Sequence, residues 1–140
     1  MTELTCKDLM VEDWVQILDD ETWKEYKIAQ VYSIRKDGRL ACITESGSFA
    51  AWNIKYIAPI LLTPKILEKN FESVNNDFGF QDYKLNDDFL IENRGTRFCF
   101  VRRIAGCGKY RSTFYICELN FVHQLQHALR LCGIEKEIVL

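Results

Sequence analysis

Two glycine turns lie so close together that they dictate the fold between them. Lys36-Asp37-Gly38-Arg39 and Glu45-Ser46-Gly47 are separated only by Leu40-Ala41-Cys42-Ile43-Thr44. A segment that short cannot hold a helix by itself, which takes about a dozen residues in water. It suits one strand of a hairpin. Asp-Gly tolerates the positive φ of a type I′ turn, so a hairpin of that type is expected at Gly38. The flanks agree. Trp14-Val15-Gln16-Ile17-Leu18 alternates as a strand, and Tyr26 to Ile34 is a second, with Ile28, Tyr32 and Ile34 at even offsets. Ser48-Phe49-Ala50-Ala51-Trp52 is a further strand, and Asp19-Asp20-Glu21-Thr22 a polar loop.

Asn53-Ile54-Lys55-Tyr56 is too short for an α-helix and right for a 3₁₀ turn. Ile57-Ala58-Pro59-Ile60 closes the set. Pro59 has no amide to donate, so this strand is short or at an edge. Four strands, a helical turn and a fifth strand resemble an SH3-like small β-barrel over residues 1–62.

Residues 63–140 read as an α+β unit, and the whole chain as mainly β. Thr63 caps a helix opened by Pro64, Ile66 and Leu67 face inward, and Asn70 stands where a left-handed C-cap residue belongs. Ser73 to Gln81 looks irregular. Tyr83-Lys84-Leu85, Asp88 to Glu92, Thr96 to Ile104 and Tyr110 to Glu118 are strand-like, and Glu137 to Leu140 suggests a last short strand. These strands form a small antiparallel sheet with one C-terminal helix packed across a face.

Composition narrows the function classes. With 140 residues, 48% hydrophobic and 27% charged, the chain can build a core. A net charge of −2 argues against a general nucleic-acid coat while allowing a local basic patch. The six cysteines contain no CxxC pair, and Met1-Thr2-Glu3-Leu4-Thr5 has neither the basic nor the apolar region of a signal peptide. No apolar run approaches the roughly 20 residues that span a bilayer. Free thiols in a reducing bacterial host cytoplasm, with no membrane partner, are therefore expected.

The C-terminal helix carries the most tempting chemistry. Asn120 is its expected N-cap, Val122, Leu125, Leu129 and Cys132 form an apolar stripe, and Gly133 stops it. His123 and His127 are four apart and share a face. A zinc hydrolase of the H-E-x-x-H kind uses that spacing, with the glutamate as general base. Here Gln124 stands in the glutamate's place, and no third ligand follows at a usual spacing. The plainer reading is a polar helix shoulder. No catalytic residue, metal or cofactor is assigned, with His123 and His127 as the only metal candidates.

Charge is unevenly spread through the second unit. Arg94, Arg97, Arg102, Arg103, Lys109 and Arg111 follow an acidic stretch holding Glu68, Glu72, Asp77, Asp82, Asp87, Asp88 and Glu92. Alternation puts Phe98, Phe100, Phe114 and Ile116 on a core face, with Arg97, Cys99, Val101, Arg103, Arg111, Thr113 and Tyr115 opposite. Arginines beside an exposed tyrosine suit phosphate pairing and base stacking. The alternative is a solvated face whose arginines pair with the acidic stretch. Gly106-Cys107-Gly108-Lys109 fails as a phosphate loop, because that pattern needs Gly at Arg103, Ser or Thr at Tyr110, and a helix next.

Three segments resemble one family. Asp13-Trp14-Val15 resembles a "GNWV" or "GDWV" opening, Tyr56 to Lys69 a "PIPLTxEIL" segment, and Phe121 to Gln126 a "YVHQLQN" segment. All three occur, in this order, in short uncharacterised proteins of phages and mobile elements of Bacteroidetes bacteria. Those relatives often have Gly at Glu12 and Asn70, and Asn at His127. The resemblance implies a phage or mobile-element origin and carries no activity with it. By analogy with small SH3-like barrels, which bind proteins and nucleic acids, a non-enzymatic accessory protein that binds a host protein or a nucleic acid is expected, anti-defence being one version. Candidate contacts are Trp23, Tyr32 and Trp52 in the first unit and Arg97, Arg103, Arg111 and Tyr115 in the second. A metal-dependent hydrolase and a structural or assembly accessory are the alternatives.

Overall fold

The computed structural model describes residues 4–18, 26–77, 79–105 and 111–140. The chain is mainly β, with two antiparallel five-stranded sheets and two α-helices among the described residues. It divides into two compact units: Met1–Leu61 with Phe121–His127, and Leu62–Asn120 with Ala128–Leu140.

The first unit holds β1 (Trp14–Leu18), β2 (Tyr26–Ile34), β3 (Arg39–Thr44), β4 (Phe49–Asn53) and β5 (Ile57–Pro59). Their order in the sheet is β4-β3-β2-β1-β5, and no pairing joins β4 to β5. β5 is thus a three-residue edge strand, as Pro59 requires. A 3₁₀ turn over Ile54–Tyr56 precedes it, capped by Asn53, whose side chain accepts the Lys55 N–H at 3.1 Å.

The hairpin at Gly38 differs from the expected type, and the one at Gly47 shares its geometry. Gly38 and Gly47 each take φ 84°, but Asp37 does not take the positive φ that a type I′ turn demands. Arg35 N–H bonds Arg39 O at 2.9 Å and Thr44 N–H bonds Ser48 O at 2.9 Å. Each loop therefore has three residues and ends on a left-handed glycine. Asp37 instead accepts the Arg39 N–H at 3.1 Å.

Val15, Ile17, Ala29, Val31, Leu40, Cys42 and Ile57 form the first core. Ile28, Tyr32 and Ile34 are not its buried face on β2. A register shift between Val31 and Ser33 leaves Tyr32 out of the ladder and turns it to solvent, 58% exposed.

The second unit holds α1 (Pro64–Asn70), β6 (Glu72–Asn75), β7 (Gln81–Lys84), β8 (Phe89–Asn93), β9 (Phe98–Ala105) and β10 (Arg111–Leu119), in spatial order β10-β9-β8-β7-β6. Thr63 caps α1 as expected, its hydroxyl accepting the Ile66 N–H at 3.3 Å. Asn70 is not a left-handed cap. It is the last helical residue, and Phe71 follows in extended conformation. Its amide donates to Ile66 O at 2.8 Å and Val139 O at 2.7 Å, while its oxygen accepts the Val139 N–H at 2.7 Å. That clamp holds residues 134–140 without making them the expected strand.

The stretch from Ser73 to Gln81 is also more regular than its composition suggests. It contains most of β6, which pairs with β7 from Glu72↔Lys84 to Asn75↔Gln81. All four β6 side chains are exposed, so no apolar alternation marks it.

Tyr83, Ile91 and Phe100 stand in one row across β7, β8 and β9 and are almost fully buried. Phe114 and Ile116 do not join this core. They are 53% and 46% exposed on the edge strand β10, where the register shifts between Tyr115 and Cys117. The cysteines described are free thiols: Cys42 and Cys99 are buried, Cys117 and Cys132 partly exposed. Cys132 therefore lies outside the buried stripe of α2 (Val122–Leu131). Gly133 closes that helix at φ 70°, with Ile134 N–H bonding Leu129 O at 2.9 Å and Gly133 N–H bonding Arg130 O at 3.1 Å.

Candidate functional site

The histidine helix turns out to be bound into the first unit. Phe121 N–H donates to Gln124 Oε1 at 3.1 Å, so the residue in the place of a zinc hydrolase's glutamate caps the helix instead. His127 Nε2 donates to Asp13 Oδ2 at 2.6 Å. Asp13 is fully buried and also accepts the Met10 N–H at 2.8 Å. Gln126 joins the same loop to the helix, accepting the Trp14 N–H at 2.8 Å and donating to Glu12 O at 3.0 Å. Glu12 itself takes φ 76°, the only described non-glycine residue at positive φ.

His123 departs from the expected polar shoulder. It is 3% exposed, stacks on Phe121 with centroids 5.8 Å apart, and meets His127 edge-on at 5.7 Å. Its Nδ1 has no hydrogen-bond partner among the described residues. Burial pushes its pKa down, partly opposed by the field of Asp13. Among the described residues no three His, Cys, Asp or Glu side chains group to hold a metal ion. The Asp13 bond occupies Nε2 of His127 and ties that ring to the loop before β1.

The second unit offers a different kind of site. One face of its sheet is a groove of about 810 Å³. Register explains which side chains line it. Lys84, Leu90, Val101 and Tyr115 are consecutive partners across β7, β8, β9 and β10, and Arg103 with Thr113 forms the next row. Leu90, Val101 and the neighbouring Cys99 form a small buried cluster that floors the groove. Asp77, Asp82, Asp87 and Glu92 line it together with Lys84, Arg94 and Arg103.

Two of those cations are already paired. Lys84 Nζ lies 3.3 Å from Asp87 Oδ1, and Arg94 Nε lies 3.1 Å from Glu92 Oε1. Asp82 is buried and held by Asn76 Nδ2 at 2.9 Å and the Asn93 N–H at 3.0 Å. The Arg103 side chain is half-buried and has neither an ion-pair nor a hydrogen-bond partner among the described residues.

Of the residues singled out by sequence, Arg103 and Tyr115 meet in this groove. Arg97 is exposed and does not line it. The Arg111 side chain, Trp23 and the loop Gly106-Cys107-Gly108-Lys109 lie outside the described residues. Trp52 packs half-buried against the first core, while Tyr32 meets the exposed Phe49 edge-on at 5.3 Å. Arg102 lies over the Phe89 ring at 5.7 Å.

Sequence reasoning missed the roles of Asp13 and Gln126, and it named Asp77, Asp82, Asp87 and Glu92 as part of an acidic stretch without placing them on one groove wall. Nothing local separates the buried Asp13 from its acidic neighbour Glu12, and the wall is assembled from four separate strands and turns. Comparison with protein-family models, with curated proteins and with solved structures finds no match.

Proposed function

We propose that this chain is a non-enzymatic binding protein whose second sheet takes an extended segment of a host protein. The groove across that sheet carries the reading, because it is concave, polar at its walls and apolar at its floor. Four carboxylates against three cations work against a nucleic acid, whose binding depends on neutralised phosphates. The protein partner is therefore the better-supported one.

The resemblance to phage and mobile-element proteins supports a host partner in the bacterial cytoplasm, with blockade of a host defence protein as one version. The first unit is read as an SH3-like module, supported by its strand order and by the 3₁₀ turn before β5.

Selection of a displayed random-peptide library on the folded protein tests the groove. Enriched peptides should bind the wild type and fail on Thr113→Arg, which fills the groove from an exposed wall position. Equal binding to both proteins would remove the groove from consideration. A host partner captured with the protein should survive nuclease treatment.

A further inference from the structure

We infer that Arg103 anchors a carboxylate in this groove, an assignment that rests on the groove being the binding site. Of the three cations lining it, Lys84 and Arg94 already face Asp87 and Glu92. Arg103 alone among them keeps an unpaired guanidinium among the described residues. Its backbone is fixed, since its N–H donates to Asp88 O at 2.7 Å and its strand partner is Thr113. A guanidinium presents five donors in a planar fork and accepts nothing, so a half-buried one is best satisfied by a two-oxygen anion. Thr113 and Tyr115 bring hydroxyl donors to the same wall.

The other groove charges choose the anion. Asp77, Asp82, Asp87 and Glu92 repel any negative ligand, and a phosphate of nearly two charges meets about twice the repulsion of a carboxylate. The ligand is thus a carboxylate of the partner, from an acidic side chain or a chain terminus.

The test is a titration of ¹⁵N-labelled protein with acetate, inorganic phosphate and acetamide, read at the Arg103 Nε–Hε resonance. A saturable shift with acetate, a weaker one with phosphate and none with acetamide is expected, while Arg97 stays unmoved. No acetate response, an equal response at Arg97, or tighter binding of phosphate overturns the assignment. N-acetylglutamate amide binding more tightly than N-acetylglycine would point to a side chain and the reverse to a terminus; either upholds the carboxylate.

Library-selected peptides should lose about tenfold in affinity on Arg103→Gln, the scale of one charge-assisted hydrogen bond. Arg103→Lys should fall between the two. Peptides that bind Arg103→Gln as well as wild type, yet fail on Thr113→Arg, would sink the anchor and leave the groove standing.

Discussion

Glu12 holds φ 76° because three hydrogen bonds of its own backbone fix the loop around it. Its N–H bonds Val31 O at 2.7 Å, and its carbonyl accepts from Gln30 Nε2 at 2.9 Å and Gln126 Nε2 at 3.0 Å. A left-handed L-residue costs about 1–2 kcal/mol, and glycine in its place loses about 0.5–1 kcal/mol of chain entropy. Glu12→Gly should therefore stabilise the protein by about 0.5–1 kcal/mol, seen as a higher melting temperature; a fall would mean that the Glu12 side chain contributes more than its conformation costs. A second prediction concerns His123, whose folded pKa lies below its ordinary value of 6.5 because burial disfavours the cation. The unfolded chain binds that proton more readily, so this residue's share of stability is complete above about pH 6.5 and is lost as the pH falls. His123→Phe should flatten the decline. Urea melts at pH 7.5 and 5.5 should show a smaller loss for the variant than for wild type; equal losses would assign the slope elsewhere.

At the level of elements, α1 and the C-terminal segment are held together by one side chain. Asn70 makes three hydrogen bonds, two of them to Val139 in the manner of a sheet ladder. Asn70→Gly should release residues 134–140 and cost about 2–3 kcal/mol, from the lost bonds and the glycine in a helical turn. Hydrogen exchange at the Val139 amide is the direct readout, and retained protection would show that Lys69, which bonds Leu140 O at 2.6 Å, holds the segment alone. The element starts and stops that were legible share a local cause. Thr63-Pro64 and Gly133 satisfy or omit backbone groups within one turn, so their neighbours in sequence suffice to reveal them. β6 was not legible, because both of its faces are exposed and its ladder to β7 is the only thing that makes it a strand. The same holds for Phe114 and Ile116: alternation assigned them to a core that on β10 reaches Leu119 and leaves these two exposed.

For the whole molecule, the groove's charge balance predicts how binding responds to salt. A nucleic-acid site would lose affinity steeply with ionic strength, in proportion to the phosphates neutralised. A gel-shift series at low salt should instead show no retained single- or double-stranded probe, and a retained probe with a steep salt slope would return the nucleic-acid reading to first place. Sequence by itself determined the β character of the chain, the hairpin glycines, both helix boundaries to within a residue or so, and Arg103 with Tyr115 on one strand face. Each of these depends on side chains a few positions apart, where spacing is geometry. The groove's acidic wall, the Asp13–His127 bond and the burial of His123 were decided only by the tertiary structure. Asp13 and His127 are 114 residues apart, and nothing local distinguishes a carboxylate that meets an imidazole from one that meets water. That contact ties His127 to the loop before β1, while in the second unit Arg103 is the groove cation with no ion-pair partner among the described residues.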